Sequence, residues 1–193
     1  KIIDFFTLLF EASQPYKNFE KQIIFRLNGV TQSHEGISIN EKMIPLVKRE
    51  PELIHGIRNI VHNALKFSKS YVDINLITNS RKINLEITDD GKGFPNDITN
   101  MIGEPFLKKS NFYLMEVKNR TSEEGMGLGL FIANILLEKT NGRLKFSNMK
   151  QIESDGKKRI TGAKVEISWE RSSIEVLQWD KKAKMKENPR NVS

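Results

Sequence analysis

The most constraining feature of this chain is a pair of alternating apolar runs joined by four polar residues. Val72, Ile74 and Leu76 recur at every second position, and so do Ile83, Leu85 and Ile87. A strand points successive side chains to opposite faces, so each run has one apolar and one polar face. The connection Thr78-Asn79-Ser80-Arg81 suits a hairpin. Such a pair must bury its apolar face against another element. The residues just before it supply the cover. From Glu52 to about Phe67, Leu53, Ile54, Ile57, Ile60, Val61, Ala64 and Leu65 fall at i, i+3, i+4 spacing, which predicts a helix with a core-facing stripe. Pro51 suits its first turn.

The rest of the chain repeats these themes. Residues 1 to about 12 have helical spacing through Ile2, Ile3, Phe6, Leu9 and Phe10. Gln22 to Leu27 reads as a strand, Asn28-Gly29 as a turn, and residues 36 to 44 as a second short strand. Residues 94 to 124 read as loop, broken by Pro95, Gly103 and Pro105. A nearly all-apolar helix then runs to about Lys139 and closes at Asn141-Gly142. Leu144 and Phe146 begin one strand, and Ala163, Val165, Ile167 and Trp169 mark another. No internal repeat is visible. This order predicts an α+β two-layer sandwich: a mixed, mostly antiparallel sheet with helices on one face. Residues 15–170 form the expected domain, residues 1–14 a preceding linker or hairpin end, and residues 171–193 a polar, basic tail.

Composition narrows the chemistry. The 193 residues contain no cysteine, which removes disulfides, thiolate catalysis and cysteine-built zinc sites from this stretch. No apolar run approaches the roughly 18 residues needed to span a bilayer. The net charge is +7, but the basic residues are scattered apart from Lys181, Lys182, Lys184 and Lys186. No strand carries the aromatic-plus-basic pattern of a nucleic-acid surface, so nucleic acid is not an expected partner. The first residue is a lysine, and a longer parent is expected.

Three segments carry candidate chemistry. His55, Asn59, Asn63 and Lys66 form a polar stripe beside the apolar face of the first strong helix. A solvated face is the simplest reading, yet asparagine is a poor interior helix former, and its carbonyl oxygen can ligate Mg²⁺. Asp89-x-Gly91-x-Gly93 ends a strand, where glycines admit a ligand close to the backbone and a carboxylate can accept from an amino group. Alone it is an ordinary glycine turn. Gly125-x-Gly127-x-Gly129 opens a helix, and N–H groups at a helix start suit phosphate. Close packing of helix on sheet explains those glycines equally well. The spacing departs from the dinucleotide fingerprint, because Leu130 replaces the third glycine.

In this order the segments resemble the N, G1 and G2 boxes of sensor histidine kinases, and Gly103-Glu104-Pro105-Phe106 resembles the F box between them. The similarity runs from about Phe19 to Trp169. Within that family, Ile44 to Pro51, the stretch from His55 to Ala64, and Met126 to Thr140 resemble the redox-responsive RegB/PrrB kinases. The resemblance implies an ATP-binding fold shared with gyrase-type topoisomerases and heat-shock chaperones, with ATP and Mg²⁺ as cofactors. It implies that Asn63 coordinates Mg²⁺, that Asn59 supports it, and that Lys66 meets phosphate. Phe67 would lie against adenine and Asp89 accept from its amino group, with Gly91 and Gly93 shaping the floor. Phe106, Gly125, Gly127, Leu128 and Gly129 would complete the nucleotide site, and the apolar run Phe112 to Met115 would belong to its lid.

The related hydrolysing ATPases carry a glutamate four residues before the metal-binding asparagine, where this chain has Asn59. An amide is no general base near neutral pH. Transfer to a protein histidine is therefore expected rather than hydrolysis. His34, His55 and His62 all lack an acceptor context. The acceptor is expected on a dimerisation hairpin before residue 1, whose last turns residues 1–14 would be. The parent would be a homodimer that serves a response regulator, and an anchor in the inner membrane is one arrangement the resemblance allows. A catalytically idle nucleotide module and an anti-sigma-type serine kinase share the fold and stand as alternatives.

Overall fold

The structure is a computed structural model that describes residues 1–18, 20–32, 44–95, 127–154 and 156–177. The alternating runs form β5 (Tyr71–Thr78) and β6 (Lys82–Asp89), paired antiparallel with Ile74 opposite Ile87 and Leu76 opposite Leu85. Asn79 builds their turn. Its side-chain oxygen accepts from the backbone N–H groups of Arg81 at 2.9 Å and Lys82 at 2.8 Å.

The sheet grows from this pair in both directions. β2 (Gln22–Leu27) lies parallel to β5, and β3 (Val30–Gln32) closes a hairpin with β2. On the other side, β8 (Lys158–Glu170) pairs with β6, and β7 (Arg143–Ile152) takes the far edge, both antiparallel. Among the described residues the order is β3-β2-β5-β6-β8-β7. The parallel β2–β5 neighbours need a crossover, and α2 (Pro51–Phe67) lies on it. A separate ribbon joins β1 (Ile2–Asp4) to β4 (Leu46–Lys48).

Helices α1 (Phe5–Ser13), α2 and α3 (Gly127–Lys139) make the second layer. The α2 stripe is buried as its spacing demands, with Leu53, Ile57, Ile60, Val61 and Leu65 at the centre. Helix α3 crosses α2 at Gly56, where a Cβ would come within 2.6 Å of the Leu137 side chain. The opposite sheet face is polar, with Arg26 on Asp73 at 2.5 Å and Lys164 on Glu86 at 2.8 Å. This is the expected α+β sandwich with helices on one face.

Residues 1–14 carry helix α1, and its apolar stripe packs into the core of the sandwich. Phe5, Phe6, Leu8 and Leu9 are buried in the core that also holds Val47 and Trp169. Phe5 meets Trp169 edge to face, with ring centroids 5.7 Å apart. Helical spacing reveals an apolar stripe but not which core covers it. The tail also begins in contact: Arg171–Ile174 forms a short helix α4, and Arg171 holds Glu175 at 2.5 and 2.8 Å. The strand expected in residues 36 to 44 lies, but for its last residue, outside the described residues, as do residues 178–193.

Candidate functional site

The end of α2, the end of β6 and the start of α3 converge at one end of the sandwich. The last carbonyls of a helix lack intrahelical donors and carry partial negative charge. Lys21, just before β2, satisfies them. Its ammonium donates to the carbonyl oxygens of Leu65 at 2.7 Å, Ser68 at 2.6 Å and Lys66 at 3.4 Å. Ser68 Oγ donates to Leu65 O at 3.0 Å.

Asp90 then ties this helix end to β6. Its Oδ1 accepts from the backbone N–H groups of Lys69 at 2.8 Å, Ser70 at 3.0 Å and Tyr71 at 3.3 Å. Partial burial alone would raise the Asp90 carboxyl, but the N–H groups of Ser70, Lys69 and Tyr71 outweigh it and hold the group below the ordinary carboxylate range. A depressed carboxyl stabilises the fold above its unfolded pKa and loses that contribution as pH falls through the folded value. Asp90→Asn should therefore cost about 1–2 kcal/mol at pH 7. Urea melts should show the gap from wild type narrowing toward pH 3. A gap of constant size would refute the clasp.

Strand alternation turns the neighbouring Asp89 inward. It is 4% exposed, and its Oδ1 accepts from Gly91 N–H at 2.8 Å and Ala163 N–H at 3.3 Å. Burial raises its pKa, although the N–H groups of Gly91 and Ala163 work against the rise. Adjacent carboxyls are thus pushed in opposite directions by facing opposite ways.

The Ala163 donor owes its position to a β-bulge. Gly162 pairs with Met149 and Ile160 with Lys150, leaving Thr161 as the extra residue. The backbones of β8 and β6 come so close that a Cβ on Gly162 would sit 1.7 Å from Asp89 O. Gly91 lies against the end of α2, where a Cβ would meet Phe67 O at 2.3 Å. Gly93 adopts φ +79°, and a Cβ there would meet Asn148 Oδ1 at 2.7 Å. Asn148 fixes the next residue by both backbone groups: Phe94 N–H donates to its Oδ1 at 2.6 Å, and its Nδ2 donates to Phe94 O at 2.9 Å.

These elements enclose a cavity lined by Asn63, Phe67, Asp89, Gly93, Phe94 and Leu130, among others. The Nδ2 of Asn63 is buried and has no hydrogen-bond partner among the described residues. Helix α3 approaches it at Gly129, where a Cβ would come within 3.0 Å of that nitrogen. The cavity measures about 30 Å³, room for a water or two.

The expected residues are thus partly assembled. Asn63, Phe67, Asp89 and Gly93 line one cavity, with Gly91 and Gly129 packed beside it. Asn59 is half-buried one turn back and does not line it, and neither does the exposed Lys66, whose Nζ stands 5.1 Å from the centroid of the Phe67 ring. Gly127 opens α3. Gly103 to Phe106, the run Phe112 to Met115, Gly125 and His34 lie outside the described residues, as does the Leu128 side chain. His55 is exposed, and His62, also exposed, stacks on Tyr16 at 5.4 Å. Sequence reasoning missed Lys21, Asp90, Asn148 and Gly162. Asp90 stood inside the Asp89-Gly93 motif, and an isolated glycine in a strand pattern signals a bulge.

Residues 48–172 match the model of the histidine kinase-, DNA gyrase B- and HSP90-like ATPases, and the chain belongs to that family. Over 164 residues it is 36% identical to the sensor histidine kinase RegB of Cereibacter sphaeroides, covering 84% of this chain and 34% of RegB. Over 94 residues it is 34% identical to the histidine protein kinase SaeS of Staphylococcus aureus, covering 47% of this chain and 25% of SaeS. The chain spans about a third of the length of RegB and a quarter of that of SaeS. The likeness to RegB agrees with the subfamily resemblance read from the sequence, and these named relatives are histidine kinases rather than anti-sigma kinases. Among solved structures, the mycobacterial sensor histidine kinase MprB superposes with a TM-score of 0.58 at 19% identity, covering 88% of this chain and 96% of that one. The nucleotide-free catalytic domain of histidine kinase ThkA gives 0.57 at 16%, covering 89% and 95%. These likenesses establish the fold.

Proposed function

We propose that this domain binds Mg²⁺-ATP in the cavity between α2 and the sheet and presents the γ-phosphoryl to a histidine on a dimerisation hairpin of the same parent. The observation that carries the reading is one cavity with a buried carboxylate, Asp89, and an unpartnered amide, Asn63, in its walls. Asp89 suits an exocyclic amino group, and the Asn63 carboxamide suits the phosphate end. Phe67 would cover the purine, and Lys66 would lend charge to the phosphates from its place over the Phe67 ring. The start of α3 at Gly127 and Gly129 would offer N–H groups to phosphate. A purine exceeds the present cavity, so binding requires side chains such as Phe67 and Leu130 to swing outward.

Asn63 is the residue that would hold Mg²⁺, through its carboxamide oxygen, while its orphaned Nδ2 donor suits an arriving phosphate oxygen. The chemistry such an ion would supply at Asn63 is neutralisation of phosphate charge. Asn59 would support the same region without activating water. The response regulator, the homodimeric parent and its attachment to a membrane belong to the same proposal, supported by the sensor-kinase relatives.

Asn63→Ala should weaken nucleotide binding in the presence of Mg²⁺ much more than in EDTA, with Tm within about 3 °C of wild type because the residue is off the core stripe. Calorimetry showing equal Mg²⁺-ATP affinity for both proteins would remove the assignment. The chain alone should bind Mg²⁺-ATP, hydrolyse it very slowly and incorporate no phosphate. Adding the parent's separately made hairpin should restore weak transfer, because mixing loses the effective concentration that a covalent link supplies. The product should be acid-labile and base-stable. Rapid ATP turnover by the chain alone would instead place it with the hydrolysing ATPases.

A further inference from the structure

Phe67 is the last residue of α2, and the chain leaves the helix at once: Ser68 is extended, with φ −62° and ψ 157°. Every carbonyl around this exit is engaged. Ala64 O accepts from Ser68 N–H at 2.8 Å. Phe67 O lies against Gly91, where a Cβ would come within 2.3 Å. The other three turn to Lys21, whose Nζ stands 2.7 Å from Leu65 O, 3.4 Å from Lys66 O and 2.6 Å from Ser68 O. An ammonium has three N–H donors, and these three carbonyls use them. Two of them, on Lys66 and Ser68, bracket Phe67. The base of the lysine is fixed as well, because Gln22 N–H donates to Ser70 O at 3.0 Å where β2 starts beside β5.

Residue 21 lies outside residues 48–172, which match the family model, and belongs to none of the motifs that carry the nucleotide reading. We propose that Lys21 is a positioning residue for the nucleotide: by holding the peptide units on both sides of Phe67, its ammonium sets where that ring stands over the cavity. The inference rests on the nucleotide reading given above.

The same charge serves the other end of the base site. Asp89 is the one charged residue that lines the cavity among the described residues. Burial raises its pKa; the N–H groups of Gly91 and Ala163 lower it, Asp90 beside it raises it, and Lys21 lowers it. Lys66 of α2 stands over the Phe67 ring and does not line the cavity. Lys21 therefore keeps Asp89 ionised, and able to accept from an amino group, down to lower pH. One side chain thus steadies the ring that would cover the base and the carboxylate that would read it.

The test is calorimetry of the whole chain with ATP and ADP, at neutral pH and along a falling pH series. Lys21→Met keeps the stem and removes the ammonium. It should weaken ATP and ADP alike, at least roughly 5-fold. The pH at which ATP affinity falls should move upward in this variant, and the 13Cγ shift of Asp89, followed by NMR without nucleotide, should titrate at higher pH with it. A merely structural role would move neither. Lys21→Arg returns the charge, but a planar guanidinium does not fit three converging carbonyls. It should restore the pH profile in full and the affinity only in part. Lys17→Met removes a charge from the exposed turn before Lys21 and should change nothing. Wild-type ATP affinity in Lys21→Met would overturn the inference, and so would an equal loss in Lys17→Met. A loss that grows from ADP to ATP would make Lys21 a distant charge for phosphate and overturn it too. Should Lys21→Met fail to fold, Lys21→Arg decides, since wild-type affinity there would overturn the positioning. A wild type that binds neither nucleotide would reject the nucleotide reading and the inference with it, whereas wild-type binding beside an unaffected Lys21→Met would reject the inference alone.

Discussion

Gly162→Ala should destabilise the fold by roughly 2–4 kcal/mol and lower Tm by roughly 5–12 °C. The added methyl would stand 1.7 Å from the carbonyl oxygen of Asp89, which is backbone and cannot rotate away. Either β8 or β6 must shift. The Ala163 N–H that reaches the Asp89 carboxylate at 3.3 Å shifts with it. ATP binding by the remaining folded protein should therefore fall too, a loss that destabilisation alone would not produce. Gly156 provides the control. It has φ +79° in an exposed turn, and a Cβ there would meet nothing within 4 Å. Gly156→Ala should cost only about 1 kcal/mol of backbone strain and leave nucleotide affinity unchanged. Equal Tm losses in the two variants would show that the close crossing of β8 and β6 is not what the bulge protects.

That crossing also marks the limit of what the sequence discloses. The β5–β6 hairpin, the α2 stripe and the terminal strands were legible because burial imposes periods of 2 and 3.6 on the residues themselves. Asn63, Asp89 and Gly93, which line one cavity, were legible as candidates because each belongs to a short motif whose spacing carries the geometry. Lys21 was not, since its carbonyl partner Leu65 lies 44 residues away. Asn148 was not, since it meets Phe94 across 54 residues. Helix α1 shows its stripe in the sequence, but only the tertiary contact between Phe5 and Trp169 reveals which core it joins. Asn59 and Lys66 share the α2 polar stripe with Asn63, yet rotation about the helix carries them off the cavity wall. A motif fixes residue types and spacing; the clasps at Lys21, Asp90 and Asn148 fix where the motif's side chains stand.

Asp89→Asn should weaken ATP and ADP alike by roughly 10- to 100-fold, the cost of about 1.5–3 kcal/mol for a lost charge-assisted hydrogen bond. The exchange keeps shape and one acceptor. The amide oxygen can still receive the N–H groups of Gly91 and Ala163, which both bond Oδ1 in the native protein. The amide nitrogen then replaces Oδ2 and would oppose the adenine amino group donor to donor. Stability should move the other way. Burial raises the pKa of Asp89, so the folded chain holds that proton more tightly than the unfolded chain does. For such a carboxyl, ionisation costs stability as pH rises through the folded value. The neutral variant escapes that cost, and its Tm at pH 7 should equal or exceed that of wild type. Wild-type affinity should fall as pH drops through the raised pKa of Asp89, above the usual carboxylate range, while that of the variant stays flat. Wild type should also prefer ATP to GTP, because guanine presents a carbonyl where adenine presents its amino group. Equal affinity for the two nucleotides, or a variant that binds ATP as wild type does, would take Asp89 out of base recognition and leave it a buried anchor for the bulge.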